Sequence, residues 1–97
     1  MKPKDIRRLL ADARERKQNL IGKNIRIDWS KSVFLVSEAI LGHLASYFEE
    51  THDTFALKHD ASSNLWYLFD VRLVVDPSLL EESQPELAIV LESSRRW

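Results

Sequence analysis

The chain contains no cysteine, which excludes a disulfide framework, a thiolate metal site and a thiol nucleophile together. Only two glycines and three prolines are spread over its 97 residues. Two glycines cannot build the Gly-rich loop that cradles a nucleotide phosphate, so that class of site is excluded as well. No apolar run approaches the roughly 20 residues of a membrane-spanning helix. The opening Met1-Lys2-Pro3-Lys4-Asp5-Ile6-Arg7-Arg8 is too charged for the apolar core of a secretory signal. These absences lead to the expectation of a soluble, cytoplasmic protein with no membrane partner.

Net charge is scarce too, at −1. The balance hides a split: residues 1–31 hold ten Lys/Arg against four Asp/Glu, and the remainder hold four against eleven. Such asymmetry marks either an anion-binding surface or two halves that attract each other, within one chain or across a dimer. What the chain does have is 44% hydrophobic and 30% charged residues, the profile of a packed domain. Its length fits one core, assigned to residues 1–92, with 93–97 as a flexible tail. A chain this short buries only about 60 to 70% of its unfolded surface, so its stability alone is modest and a homodimer is expected.

Ile6, Leu9, Leu10 and Ala13 recur at the spacing of one helix face, predicting a first helix from Pro3 to Leu20 that Gly22 ends and whose other side is basic. Asn24 to Trp29 alternates in polarity like a short strand. The broadly apolar stretch Ser32–Glu50 predicts a central second helix. A short strand over Thr54–Lys58 and a turn over His59–Asn64 lead into the longest strand candidate, Leu65–Val75. On it Leu65, Tyr67, Phe69, Val71, Leu73 and Val75 form the expected buried face, with Trp66, Leu68 and Val74 opposite. Asp76-Pro77 caps a one- to two-turn helix ending before Pro85, and Glu86–Glu92 supplies a last strand that pairs antiparallel with the long one. The expected class is α+β, two main helices packed on a small, mostly antiparallel sheet, in the order α-β-α-β-β-(short α)-β, with hairpins in place of crossovers between the later strands.

No nucleophile elbow or activated Ser or Lys pattern is present, and His43, His52 and His59 are not spaced to share a helix face. Glu49-Glu50-Thr51-His52-Asp53 has ligand chemistry but no closed-site spacing, and reads as a polar helix end. His43 reads as a hydrogen-bonded interior histidine, and Asp70 with Arg72 as a solvated sheet face. No catalytic residue, metal ligand or cofactor is assigned. The expected function is that of a small intracellular adaptor or regulatory domain that binds another protein without catalysis, through Trp66, Leu68 and Val74 on an outer sheet face and Trp97 in the tail. The alternative is a nucleic-acid-binding regulator that sets Arg7, Arg8, Arg14 and Lys17 of the first helix against phosphates, with Trp29 or Trp66 as stacking surfaces. Asp5, Asp12 and Glu15, interspersed on that helix, weigh against the alternative through ordinary helix ion pairs.

Overall fold

The apolar stripe of the first segment folds as read. In α1, Pro3–Ile21, Ile6, Leu9, Leu10 and Ala13 are all buried, and the helix closes with the Gly22 amide donating to the Gln18 carbonyl at 2.9 Å. The computed structural model describes residues 3–92; the tail assigned to 93–97 lies outside the described residues. The class is α+β, with two helices and one five-stranded sheet.

The run Val33-Phe34-Leu35-Val36, expected as the start of the second helix, is instead strand β1 (Val33–Val36). A short apolar run carries no period that separates a buried strand from a helix, and the boundary is set by the residue after it. Ser37, in extended conformation, accepts from the Ile40 amide at 3.1 Å and caps α2, Glu38–Thr51. Its hydroxyl also donates to the Glu81 carbonyl, tying the helix start to the loop over it. α2 ends at His52, whose left-handed backbone (φ 51°) places its amide on the Phe48 carbonyl at 2.7 Å.

The expected long strand is two strands. β3 (Leu65–Leu68) and β4 (Val71–Val75) are joined by a two-residue turn in which Phe69 and Asp70 both have positive φ, 49° and 66°. Two consecutive left-handed residues make the turn whose twist suits a hairpin, here without the usual Asn-Gly. Its strain, roughly 1–3 kcal/mol per residue, is offset by tertiary bonds: the Phe69 amide donates to the Ala56 carbonyl, Lys17 Nζ donates to the Phe69 carbonyl, and Lys58 pairs with Asp70 at 2.7 Å. Strand β2 is Leu57–Asp60, slightly later than expected, and turns into β3 through Ala61–Asn64.

Two further expectations are corrected. The Asn24–Trp29 segment makes only an isolated bridge from Ile27 to Leu91, because the chain turns at Asp28, whose carbonyl accepts from the Lys31 and Ser32 amides and the Ser32 hydroxyl. Residues 76–82 form turns and no helix: the Asp76 carboxylate takes the Ser78 amide and hydroxyl, a local closure that competes with helix propagation. The last strand, β5 (Glu86–Ala88), pairs antiparallel with β1 and not with the long hairpin.

The sheet order is β2-β3-β4-β1-β5, antiparallel except for the parallel pair β1 and β4. A crossover therefore exists, from β1 through α2 and the β2–β3 hairpin to β4. Register assigns the faces. Leu57 opposes Leu68, Leu68 opposes Val71, and Phe34 opposes Leu73 and Leu87; these share one face and form the core with Ile6, Leu9, Leu10, Ala13, Ile40 and Leu44 of the helices. Both helices thus cover the same side.

Candidate functional site

The hairpin turn decides where the residues singled out from sequence go. A two-residue turn between β3 and β4 puts Leu68 and Val71 on one face, so a side-chain parity counted straight from 65 to 75 fails on β3. Leu68 is fully buried (0% exposed) and cannot be a partner-binding residue in the folded domain. Trp66 lies on the same core-facing side, half-buried, edge-on to Phe48 at 5.6 Å and stacked on His59 at 4.2 Å. Val74 alone of the three is on the outer face, and Trp97 lies outside the described residues.

That outer face is nevertheless real, with different occupants. Tyr67 opposes Arg72, which opposes Val33, which opposes Ala88; Val74 opposes Leu35, and Lys58 opposes Tyr67. Val33, Leu35, Leu65, Tyr67, Val74 and Ala88 are half-buried on the side opposite both helices. Lys58 and Arg72 supply positive charge there, and Asp60 and Glu86, by the same alternation, negative charge.

The second region is a groove beside α1. Arg7, Leu10, Ala11 and Arg14 line a cavity of about 200 Å³ with Tyr47, Asp53, Phe55, Ala56 and Phe69. It meets a second of about 400 Å³ at Arg14, Phe55 and Phe69, where Lys17, Gln18, Thr54, Lys58 and Asp70 complete the lining. Helical spacing puts Arg7, Arg14 and Lys17 on one side of α1 (residues i, i+7, i+10), and Arg8 lines neither cavity. Three of the four basic residues singled out in the sequence therefore converge.

Phe55 is 69% exposed, with the Arg14 guanidinium 5.1 Å above its ring and Phe69 edge-on at 6.0 Å. Lys17 Nζ lies 5.3 Å from the Trp29 ring. Both carboxylates of the groove are engaged: Asp53 accepts from the Tyr47 hydroxyl at 2.9 Å and the Ala56 amide at 3.2 Å, and Asp70 from Lys58. Burial, and then the bond to Asp53, push the Tyr47 phenol above its ordinary value; the Lys58 bond holds the Asp70 carboxyl below its own. Among the described residues neither Arg7 nor Arg14 meets a carboxylate within ion-pair distance.

The sequence reading missed Phe55, Phe69 and Lys58. Phe55 falls within the strand expected over Thr54–Lys58 but lies in a turn before β2, and its signal in the sequence is a large apolar residue two positions after Asp53, whose side chain closes that turn onto the Ala56 amide. His43 is half-buried and lines a separate cavity with Asp5, Ala39, Glu81 and Glu82. No group of three metal-ligating side chains occurs among the described residues, and none of their helices is long and apolar enough to cross a membrane. No protein-family model, curated protein or solved structure matches this chain.

Proposed function

We propose that the domain is a small adaptor or regulatory protein that works by protein–protein association, and that the outer face of its sheet is the contact, occupied by a second copy of the chain. The observation that carries this reading is the composition of β1 and β4. Strands buried on both faces read apolar throughout, whereas strands of a sheet with one solvated face alternate apolar with polar. Val33-Phe34-Leu35-Val36 is apolar on both sides and Val71-Arg72-Leu73-Val74-Val75 nearly so, while α1 and α2 cover only the side of Phe34, Val36, Val71 and Leu73. Val33, Leu35 and Val74, with Tyr67 from β3, are left for an external cover.

Charge favours a second copy. The face carries both signs, so a rotated copy can oppose Lys58 or Arg72 with Asp60 or Glu86, and a net charge of −1 sets no repulsive barrier between copies. Size sets the strength. Five strands about 4.8 Å apart and about 15 Å long give roughly 350 Å² of flat sheet, under half of the roughly 800 Å² per partner in stable complexes. Association is accordingly weak and concentration-dependent.

Sedimentation velocity over a rising concentration series tests this. A monomer–dimer equilibrium abolished by Val74→Glu with Leu35→Ser, both variants keeping the wild-type circular dichroism, is the expected result. A wild-type monomer at every concentration, or a dimer indifferent to those substitutions, overturns it.

A further inference from the structure

The groove beside α1 shares only Lys58, which is paired with Asp70, with the outer sheet face. We infer that it is a binding site for single-stranded nucleic acid, with Phe55 as the stacking platform and Arg7, Arg14 and Lys17 as the groups that neutralise phosphates. The platform comes first. Phe55 keeps 69% of its surface in solvent although the apolar cavity of Leu10, Ala11 and Phe69 lies beside it, and Arg14 holds its guanidinium 5.1 Å over the ring. A ring paired with a guanidinium stacks on any unpaired base, because every base presents a π-face.

The cations come second. Arg7 and Arg14 are seven residues apart, about 10 Å along the helix, and Lys17 continues the row toward Lys58. Asp70 is paired with Lys58, and Asp53, although it keeps its charge, is turned onto the Tyr47 hydroxyl and the Ala56 amide, so Arg7, Arg14 and Lys17 outnumber the one carboxylate among them that has no cationic partner and leave a net positive row for an incoming polyanion. The two cavities are open and adjoin at Arg14, Phe55 and Phe69, which line both; this suits a strand lying along α1 better than a small molecule enclosed on all sides. A duplex keeps its bases stacked inside and cannot reach Phe55. An acidic peptide would engage the cations and leave the ring without a role.

Fluorescence anisotropy with the full chain tests the inference, using labelled oligothymidylate and oligouridylate, a duplex of equal length and a polyglutamate peptide. Single strands should bind most tightly, with affinity falling steeply as salt rises. Phe55→Ala should weaken single-strand binding roughly tenfold while leaving the salt dependence unchanged, as loss of stacking does. Arg14→Gln should lower the slope of log affinity against log salt by about 0.7, as loss of one phosphate contact on a single strand does. Arg8→Gln, which removes the same charge from the same helix outside the groove, should do neither. Circular dichroism of each variant verifies folding, and Phe55 and Arg14 are exposed enough for both to fold. The inference is overturned by no single-strand binding at low salt, by equal effects of Arg8→Gln and Arg14→Gln, by indifference to Phe55→Ala, or by tighter binding of polyglutamate than of the oligonucleotides. Because none of these substitutions touches the outer sheet face, its failure leaves the dimer reading standing, and the reverse holds too.

Discussion

On β1, and on β4 apart from Arg72, the two faces of the sheet are built from nearly the same chemistry and live in different surroundings. On β1, Phe34 and Val36 are fully buried, while Val33 and Leu35, their immediate neighbours, are half-exposed. On β4, Val71 and Leu73 are buried and Val74 is not. On β1 the residue types do not distinguish the faces; the position of two helices does. An antiparallel sheet with one wet face usually alternates apolar with polar, and here the alternation fails on the strands at the centre of the sheet. β1 thus stays apolar on the side that the described helices leave uncovered, and β4 does so at Val74.

The largest effect that sharpens this contrast is on the covered side. Leu68→Ala removes a fully buried side chain among Leu57, Val71 and the helix core, and should cost about 2–5 kcal/mol, read as a shift in urea midpoint at unchanged slope. Next is Ser37→Ala. Ser37 is 3% exposed and makes two bonds, from the Ile40 amide and to the Glu81 carbonyl; loss of the cap should cost about 1–2 kcal/mol. It also unfixes the point where the chain leaves the sheet, so the β1 amides should lose hydrogen-exchange protection along with the first turn of α2. If only α2 loses protection, Ser37 does not define the boundary of β1.

On the uncovered side, Leu35→Ala should cost about 1 kcal/mol or less in dilute protein. Its signature lies elsewhere: the wild-type melting temperature should rise with protein concentration, as it does for any species stabilised by a partner, and the variant's should not. A Leu35→Ala cost matching that of Leu68→Ala would erase the contrast, since it would mean that Leu35 is already packed within the monomer.

How far the two faces could be read from sequence depended on local signals of unequal strength. α1 was legible because its apolar stripe is regular over several turns. β1 was not, because Val-Phe-Leu-Val has no polar residue to fix a period, and Ser32 and Ser37 both offer a cap; Ser32 instead donates to the Asp28 carbonyl and accepts from the Val90 amide. The β3–β4 turn was illegible because Phe69-Asp70 lacks glycine and asparagine, and the bonds that hold it come from Lys17, 52 residues away, and from Lys58. That single missed turn reversed the expected face of Trp66 and Leu68. The groove was half legible: the row Arg7, Arg14, Lys17 follows from helix periodicity, but its meeting with Phe55 and Phe69 is a product of the same turn.

The smallest predicted effect concerns three turns, at Asp28, at Asp76 and at Asp60, the last at the end of β2. Asp28, Asp60 and Asp76 each accept a hydroxyl bond from the serine two residues on, Ser30, Ser62 and Ser78, and that bond is the main cause holding each carboxyl below its ordinary value of 3.8. A carboxyl whose value is lower in the folded chain contributes stability that is fully present above its unfolded value and is lost as pH falls through the folded one. Stability should therefore be flat with respect to these groups from neutral pH down to about 4 and decline below it. Replacing all three by Asn keeps an oxygen acceptor for each serine and removes the titration, so the variant's urea midpoint should fall less between pH 4 and pH 2 than the wild type's. Because Asp60 is exposed and Asp28 and Asp76 are no more than half-buried, the difference should be small, and Asp70, whose value is lowered by its bond to Lys58, should keep part of the acid sensitivity in the variant. An identical acid profile in the two proteins would assign the whole decline to other carboxylates, and the three turns would then be held by backbone geometry alone.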